Sequence, residues 1–473
     1  MGRTVQDSRD LLEALSAVVG PAHVAEGPAI DPDDTHDEAL TTEWVTPVAV
    51  VRPRTTAEVS ALLALADERR IPVVARGRGT GLSGGCQPVP GGIVVAFDRM
   101  DAILEVDTEN HVAVVQPGVT LQQLHDALAP AGLVYPVFPG ESSASIGGNI
   151  GTNAGGMVAI RHGVTRNNVL GTEAVLADGR VVRTGGKFVK CSSGYDLTQL
   201  LIGSEGTLAL ITEATLKLQP RLPERATVLV PFATLEEVTR AVPTVVASGL
   251  YPLILEYIDQ LTMASITGAV DLDLGIPAEV KERALAYLVV VLEAREPERL
   301  EADVEALGTM LSDRGAIDVY VLPPTAGAEL ITARERAFFV AKAAGADDIV
   351  DAVVPRAALP AYLAAVGDLA GRHGAFVAGC GHVGDGNVHL SVFQPDPEAR
   401  GALVHDILDA ALAEGGAVSG EHGVGTAKRD AFLALEDVVR LELMTRIKAA
   451  FDPHGILGPG RSVAPAPAAA VAR

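Results

Sequence analysis

The chain has 473 residues, 48% of them hydrophobic and 21% charged, more than a single core usually organises, so a soluble globule of two domains is expected. Its 37 basic against 60 acidic residues leave a net charge of -23, which argues against nucleic acid or an anionic membrane as a partner and requires a local cationic pocket for any anionic substrate. Cys86, Cys191 and Cys380 are too scattered for a disulfide framework or a CxxC site, which fits a reducing cytoplasm.

Residues 1–46 read as an arm, with a helix over 10–19 and the acidic loop Asp31-Pro32-Asp33-Asp34. No apolar stretch of a secretory signal is visible, and no uncharged run approaches the roughly 20 residues of a spanning helix, so any membrane association would run through a partner. A strand at 48–51, a helix opened by Thr55-Thr56 and ending at Arg70, and a strand at 71–75 then make a βαβ unit. It leads into Arg76-Gly77-Arg78-Gly79-Thr80-Gly81-Leu82-Ser83-Gly84-Gly85, in which residues 79–84 spell GxGxxG. A Rossmann turn needs a helix next, but residues 86–92 are short, carry Pro88 and Pro90, and run into a strand at 93–97. Consecutive N–H groups in such a run still suit a pyrophosphate, so the segment reads as a phosphate loop of non-Rossmann type.

Strands at 103–106 and 112–116 and a helix at 121–128 precede a second glycine-dense segment, residues 139–156, small enough to let a flat ring and a ribityl chain lie against the main chain. Residues 169–176 and 181–184 flank Asp178-Gly179 as a hairpin, and Gly203-Ser204-Glu205-Gly206-Thr207 precedes a strand at 208–218. A boundary falls at residues 219–224. Beyond it strands and helices alternate at 227–230, 235–247, 253–257, 287–293, 298–313 and 317–321, and the rhythm recurs through 325–420, which predicts two α+β halves with antiparallel strands. A helix at 437–451 and an Ala/Pro tail at 464–473, expected to be disordered, end the chain.

Chemistry concentrates in Gly381-His382-Val383-Gly384-Asp385-Gly386-Asn387-Val388-His389 and in Ser419-Gly420-Glu421-His422-Gly423. His382, His389 and Glu421 form a two-nitrogen, one-oxygen set suited to a divalent metal with an open position, leaving His422 as a base. Zinc, manganese and ferrous iron all accept such ligands. Asp385 suits a turn better than a ligand role.

Together with Gly194-Tyr195-Asp196-Leu197, Ile211-Thr212, Asp452-Pro453 and Pro459-Gly460, these motifs give the chain over about residues 45–462 a resemblance to the FAD-linked oxidase family with a p-cresol methylhydroxylase-type flavin domain, in its D-lactate, glycolate and D-2-hydroxyglutarate dehydrogenase branch. The resemblance implies an α+β fold: a two-subdomain FAD-binding domain at 47–222, a substrate and metal-binding cap domain at 223–436 with a large antiparallel sheet flanked by helices, and a C-terminal helix at 437–463 returning to the FAD domain. It implies that Arg76, Gly77, Gly79, Thr80, Gly81, Ser83 and Gly84 hold the pyrophosphate. Pro139, Gly140, Ser142, Ser145, Gly148, Asn149 and Thr152 would line the flavin, with Glu205, Gly206 and Ile211 at its adenine and ribityl parts and Asn387 at the flavin edge or the substrate. No histidine lies between residues 76 and 85, so the FAD would be non-covalent.

The same resemblance makes His382, His389 and Glu421 the metal ligands, His422 the base, and Arg334 the grip on the substrate carboxylate, with Arg336 an equal candidate by spacing. The expected activity is oxidation of a small D-2-hydroxy acid, D-lactate or glycolate ahead of D-2-hydroxyglutarate, because residues 341–349 are Ala-rich and acidic where relatives often place a cation. Two alternatives stay open: a flavin subunit dependent on partner proteins, and a non-redox enzyme of the alkylglycerone-phosphate synthase type. With no iron-sulfur cysteines, electrons would leave to an external acceptor; a homodimer is one open assembly.

Overall fold

The structure, a computed structural model, describes residues 5–464. The helix Thr56–Arg69 begins where Thr55 Oγ1 accepts the N–H of Glu58 and ends where Arg70 turns left-handed. It buries Val59, Leu62, Leu63 and Ala66 with Leu11 and Leu15 of the arm helix Val5–Val19 against a four-stranded sheet. In that sheet Val73–Arg76 and Ala49–Val51 both pair in parallel with Ile93–Ala96, so a third strand sits between the two of the expected βαβ unit. The glycine loop therefore leaves from the carboxyl end of a parallel strand, where such sheets bind ligands.

A five-stranded antiparallel sheet follows, in the order Ile103–Asp107, Val112–Val115, Ala209–Lys217, Val169–Leu176, Val181–Gly185. The second glycine segment contains a helix, Ile146–Thr152, that the sequence reading lacked. Three of its seven residues are glycine, a composition that disfavours helix. Tertiary burial overrides it: Ile146 and Ile150 are fully buried beside Leu121 and Leu124, Ser145 Oγ accepts the N–H of Gly148 at 3.3 Å, and Asn153 ends the helix left-handed.

The third sheet has seven strands, all antiparallel, in the order Tyr320–Val321, Glu224–Phe232, Ala286–Ala294, Ile254–Asp259, Phe376–Gly381, Asn387–Phe393, Asp348–Val353. Around a central join between Ile254–Asp259 and Phe376–Gly381, each half runs second, third and first strand of its own segment, the two-half arrangement that the alternation suggested. One face packs on the helices Leu235–Ala247, Pro297–Ser312, Leu359–Arg372 and Pro397–Ala413 in a continuous core that includes Val242, Leu307, Tyr362 and Ile407. The other face meets the helices Gln260–Gly268, Pro324–Glu335 and Ala337–Ala343 through Ile266, Leu330 and Val340. Ala286–Ala294 is apolar on both sides because both faces are covered.

The helix Val438–Phe451 comes back to the glycine-rich part, where Ile447 and Phe451 pack on Leu201 and Leu208 and Lys448 Nζ donates to Thr207 O at 2.7 Å. The chain then joins the first sheet, Val73 N donating to Ile456 O at 2.8 Å. Ala464, the first residue of the expected disordered tail, is fully buried and its N–H donates to Arg461 O; residues 465–473 lie outside those described. Among the described residues no helix is long and apolar enough to cross a membrane.

Candidate active site

A cleft of about 490 Å³ runs between the two glycine segments and the seven-stranded sheet. Along one wall lie Gly77, Gly79, Thr80, Gly81 and Ser83, then Pro139, Gly140, Ser145, Gly148, Asn149 and Thr152, then Glu205, Gly206 and Ile211. Among the described residues, none of the N–H groups of residues 77–82 donates to another group of the chain, so the loop presents a run of free donors. Ser83 Oγ and Asn149 Nδ2 are buried without partners, and a Cβ on Gly151, which also lines the cleft, would meet no atom within 4 Å. Free donors over a glycine-lined hollow fit a dinucleotide such as FAD.

Arg76 props this loop from beneath. Its Nη1 donates to His36 O at 2.6 Å, its Nε lies 3.4 Å from Asp34 Oδ1, and a Cβ on Gly79 (φ +75°) would fall 2.1 Å from its Nη2. Gly77 closes against the second segment, since its Cβ would stand 2.2 Å from Ser145 Oγ. Glu205 Oε1 accepts the N–H of Gly425 at 2.8 Å, which ties the loop at residues 203–207 to the histidine-bearing one; burial raises its pKa. Three residues assigned to the cofactor do not line the cleft. Gly84 packs against Thr426 and Thr42, Ser142 accepts the N–H of Gln122 through its carbonyl, and the Asn387 amide donates to Asp351 Oδ1 at 2.7 Å and to Ala352 O at 2.8 Å. Packing claims Gly84 and hydrogen bonding claims the Asn387 amide, whereas Ser142 is exposed outside the cleft.

On the opposite wall the turn after Phe376–Gly381 brings His382 beside His389 of the next strand, and the loop carrying Glu421 folds over both. Glu421 Oε1 stands 3.1 Å from the Nε2 of each histidine, and one ligand atom from each of the three lies within 4.8 Å of the others. Behind His382, the fully buried Glu256 places Oε1 2.5 Å from Nδ1 and Oε2 2.8 Å from Arg334 Nη2. Burial works against charge on His382, but Glu256 and Glu421 on its two nitrogens raise its pKa to about 10. Burial works against charge on Glu421 too, but His382 and His389 hold its pKa well below the usual carboxylate range. A pocket that draws a proton between two carboxylates also favours a cation in that place, and these donors fit a divalent metal.

Asp351 organises the loop from below. Fully buried, its Oδ2 accepts Ser419 Oγ at 2.8 Å and the N–H groups of Gly420, Glu421 and His422 at 3.0, 3.0 and 2.8 Å. Burial would raise its pKa, but His422, Lys428 and those donors hold it well down. His422 stacks on His389 with ring centroids 4.9 Å apart; its Nδ1 lies 3.9 Å from Asp351 Oδ2 with no hydrogen-bond partner, and its Nε2 lies 4.0 Å from Glu421 Oε1. Burial lowers its pKa to about 4 against the pull of Asp351, so the imidazole is neutral. Asp351, His389 and His422 form a second close group overlapping the first.

Arg334 is buried on the cleft, with Nη2 2.8 Å from Glu256 Oε2 and Nε without an acceptor. Arg336, its equal by spacing, does not line the cleft. Glu256 and Asp351 escaped the sequence reading. The only signal was an acid in the interior of each of two largely apolar strands, Ile254–Asp259 and Asp348–Val353, each of which carries a second acid at one end.

The family described as FAD linked oxidases, C-terminal domain, matches residues 221–462, and an FAD binding domain matches residues 47–185. An uncharacterised FAD-linked oxidoreductase of Mycobacterium tuberculosis is 53% identical over 451 residues, 95% of this chain and 98% of that one. A D-lactate dehydrogenase of Archaeoglobus fulgidus is 39% identical over 88% of this chain and 91% of its own, and the glycolate oxidase subunit GlcD of Bacillus subtilis is 35% identical over 97% of each. Among solved structures, p-cresol methylhydroxylase with bound substrate superposes with a TM-score of 0.77 over 98% of both chains at 17% identity, a likeness of fold.

Proposed function

The chain belongs to the FAD-linked oxidase family as an FAD-dependent oxidoreductase of the lactate, glycolate and hydroxyglutarate dehydrogenase branch, and we propose from that premise that it oxidises a D-2-hydroxy acid to the 2-oxo acid, with D-lactate or glycolate ahead of D-2-hydroxyglutarate. The observation that carries this is the His382, His389 and Glu421 cluster flanked by a neutral His422 and by the unpartnered Nε of Arg334 on one cleft. When bound there, non-covalent FAD supplies the hydride acceptor and a zinc, manganese or ferrous ion supplies Lewis acidity at the 2-hydroxyl.

The remaining work falls to side chains. Arg334 takes the substrate carboxylate through Nε, while Glu256 on Nη2 of the same guanidinium fixes its plane. His422 Nε2 accepts the hydroxyl proton, and Asp351 behind Nδ1 stabilises the resulting imidazolium. Arg334, His382 and Glu256 are buried at this end of the cleft, beneath the cap sheet and its helices.

Replacing His422 by Gln is expected to lower kcat by on the order of 1000-fold while FAD stays bound, and Arg334→Met to raise KM more than it lowers kcat. Retention of wild-type kcat by the His422 variant would overturn the assignment of the base. A second reading, a flavin subunit that needs a partner, is favoured by the word subunit in the Bacillus relative's name. Turnover of the purified chain with an artificial electron acceptor separates the two. The non-redox alternative is disfavoured because the His382, His389 and Glu421 set suits oxidation of an alcohol.

A further inference from the structure

The strand register beside the candidate ligands carries information about what the substrate bears on its C3 side. Asp351, His389 and Cys380 lie opposite one another on three neighbouring strands and form one rung of the face that looks into the cleft. Two residues along each strand, Ile349, Ser391 and Ala378 form the next rung, and Phe393 and Phe376 the one after, all lining the same cleft. The intervening Val350, Leu390 and Val392 point into the core on the far side. Successive rungs are about 6.8 Å apart. The floor thus runs from a polar catalytic rung, through a rung of small and apolar residues, to an aromatic one.

Phe338 and Leu261 cover this floor from the adjoining helices. Phe376 and Phe393 stand with centroids 5.6 Å apart at its outer end, and Phe376 is 49% exposed there, so the channel opens to solvent between aromatic lips. No cation faces the two outer rungs among the described cleft residues. Arg334 lies at the catalytic end against Glu256, and Lys342, whose Nζ stands 5.9 Å from the centroid of the Phe338 ring, does not line the cleft and is paired with Glu38 at 2.6 Å.

We propose that the group on the substrate's C2 is an apolar chain or ring of about four or more carbons, laid over Ile349, Ser391 and Ala378 toward Phe376 and Phe393. This rests on the reading of the site as a 2-hydroxy-acid dehydrogenase and narrows it: D-lactate and glycolate are minimal members of the series and not the preferred ones, and dicarboxylic 2-hydroxy acids are excluded by the missing cation.

The test uses the FAD-loaded, metal-loaded full chain. Values of kcat/KM are measured for D-lactate, D-2-hydroxybutyrate, D-2-hydroxyisocaproate, D-3-phenyllactate and D-2-hydroxyglutarate, and calorimetric binding for the non-oxidisable 3-phenylpropionate, propionate and succinate. Expected are a rise of about fourfold in kcat/KM per buried methylene and 3-phenylpropionate as the tightest binder of its set. Ile349→Lys is expected to raise the 2-hydroxyglutarate to 2-hydroxyisocaproate ratio more than tenfold, and Ser391→Leu to lower the phenyllactate to lactate ratio; Ala378→Phe serves as a second blocking variant, with bound-flavin absorbance checking that each has folded. A flat or falling series, with succinate or propionate bound as well as 3-phenylpropionate, overturns the channel while leaving a dehydrogenase. If no acid reduces the flavin but 3-phenylpropionate binds selectively and Ser391→Leu or Ala378→Phe abolishes that binding, the apolar channel stands and the dehydrogenase reading falls.

Discussion

Asp351 and Glu335 show how differently two acids of one cleft region are treated by their surroundings. Asp351 meets donors from Ser419 to His422 on one oxygen. An amide there turns a donor toward these N–H groups, so Asp351→Asn is expected to lower kcat on the order of 100-fold, as disturbed supports of metal ligands do, and to lower Tm. Ser419→Ala removes one bond of the set and is expected to cost about 1 kcal/mol with kcat close to wild type. Glu335 has no such donors; burial, then the nearby Glu141, raises its pKa from 4.5 to about 7. Since the folded protein holds this proton more tightly than the unfolded chain, ionising Glu335 costs stability as pH rises from 4.5 to about 7. Glu335→Gln is therefore expected to gain Tm relative to the parent progressively across that window; a constant Tm difference from pH 4 to pH 8 would contradict the shift. Ligand candidates such as His382 and Glu421 were legible because glycine turns advertised them, whereas Glu256 and Asp351 sit in apolar strands whose pairing partners are distant in sequence.

At the scale of elements, the helix Val438–Phe451 anchors the return of the chain through one buried pair. Lys448 pairs with Asp452 and donates to Thr207 O and Leu457 O, while Asp452 accepts the N–H groups of Ile456 and Leu457 at 3.0 and 2.8 Å. Lys448→Met strands a buried carboxylate and two carbonyls, and a loss of about 3–5 kcal/mol in urea unfolding is expected, with weaker FAD retention because Thr207 adjoins Glu205 and Gly206. A loss below 1 kcal/mol would show that water reaches the pair. The capped helix Thr56–Arg69 was legible from Thr55. Ile146–Thr152 was not, because its glycines argue against helix and only burial of Ile146 and Ile150 favours it. The GxGxxG spelling at 79–84 would have suggested a Rossmann turn; the two prolines after it forbade that, and the loop runs on into Ile93–Ala96.

For the whole molecule, the boundary at residues 219–224, with two glycine-dense segments before it and alternating strands and helices after it, foreshadowed two kinds of architecture, glycine-lined walls on one side of the cleft and an antiparallel sheet on the other. What linear order could not convey is that Ile254–Asp259 and Phe376–Gly381 meet at the centre of a single seven-stranded sheet, since their pairing spans more than a hundred residues. That join sets Glu256 behind His382 and so completes the cluster. The most direct test of a flavin-linked, metal-assisted oxidation of a D-2-hydroxy acid is anaerobic bleaching of the bound flavin, followed with D- and L-acids before chelation, after chelation and after return of zinc, manganese or ferrous ion. The account predicts bleaching by D-acids (or achiral glycolate) alone, lost on chelation and restored by one metal. Bound flavin that no 2-hydroxy acid reduces under any of these conditions, or that is reduced equally after complete metal removal, would contradict it.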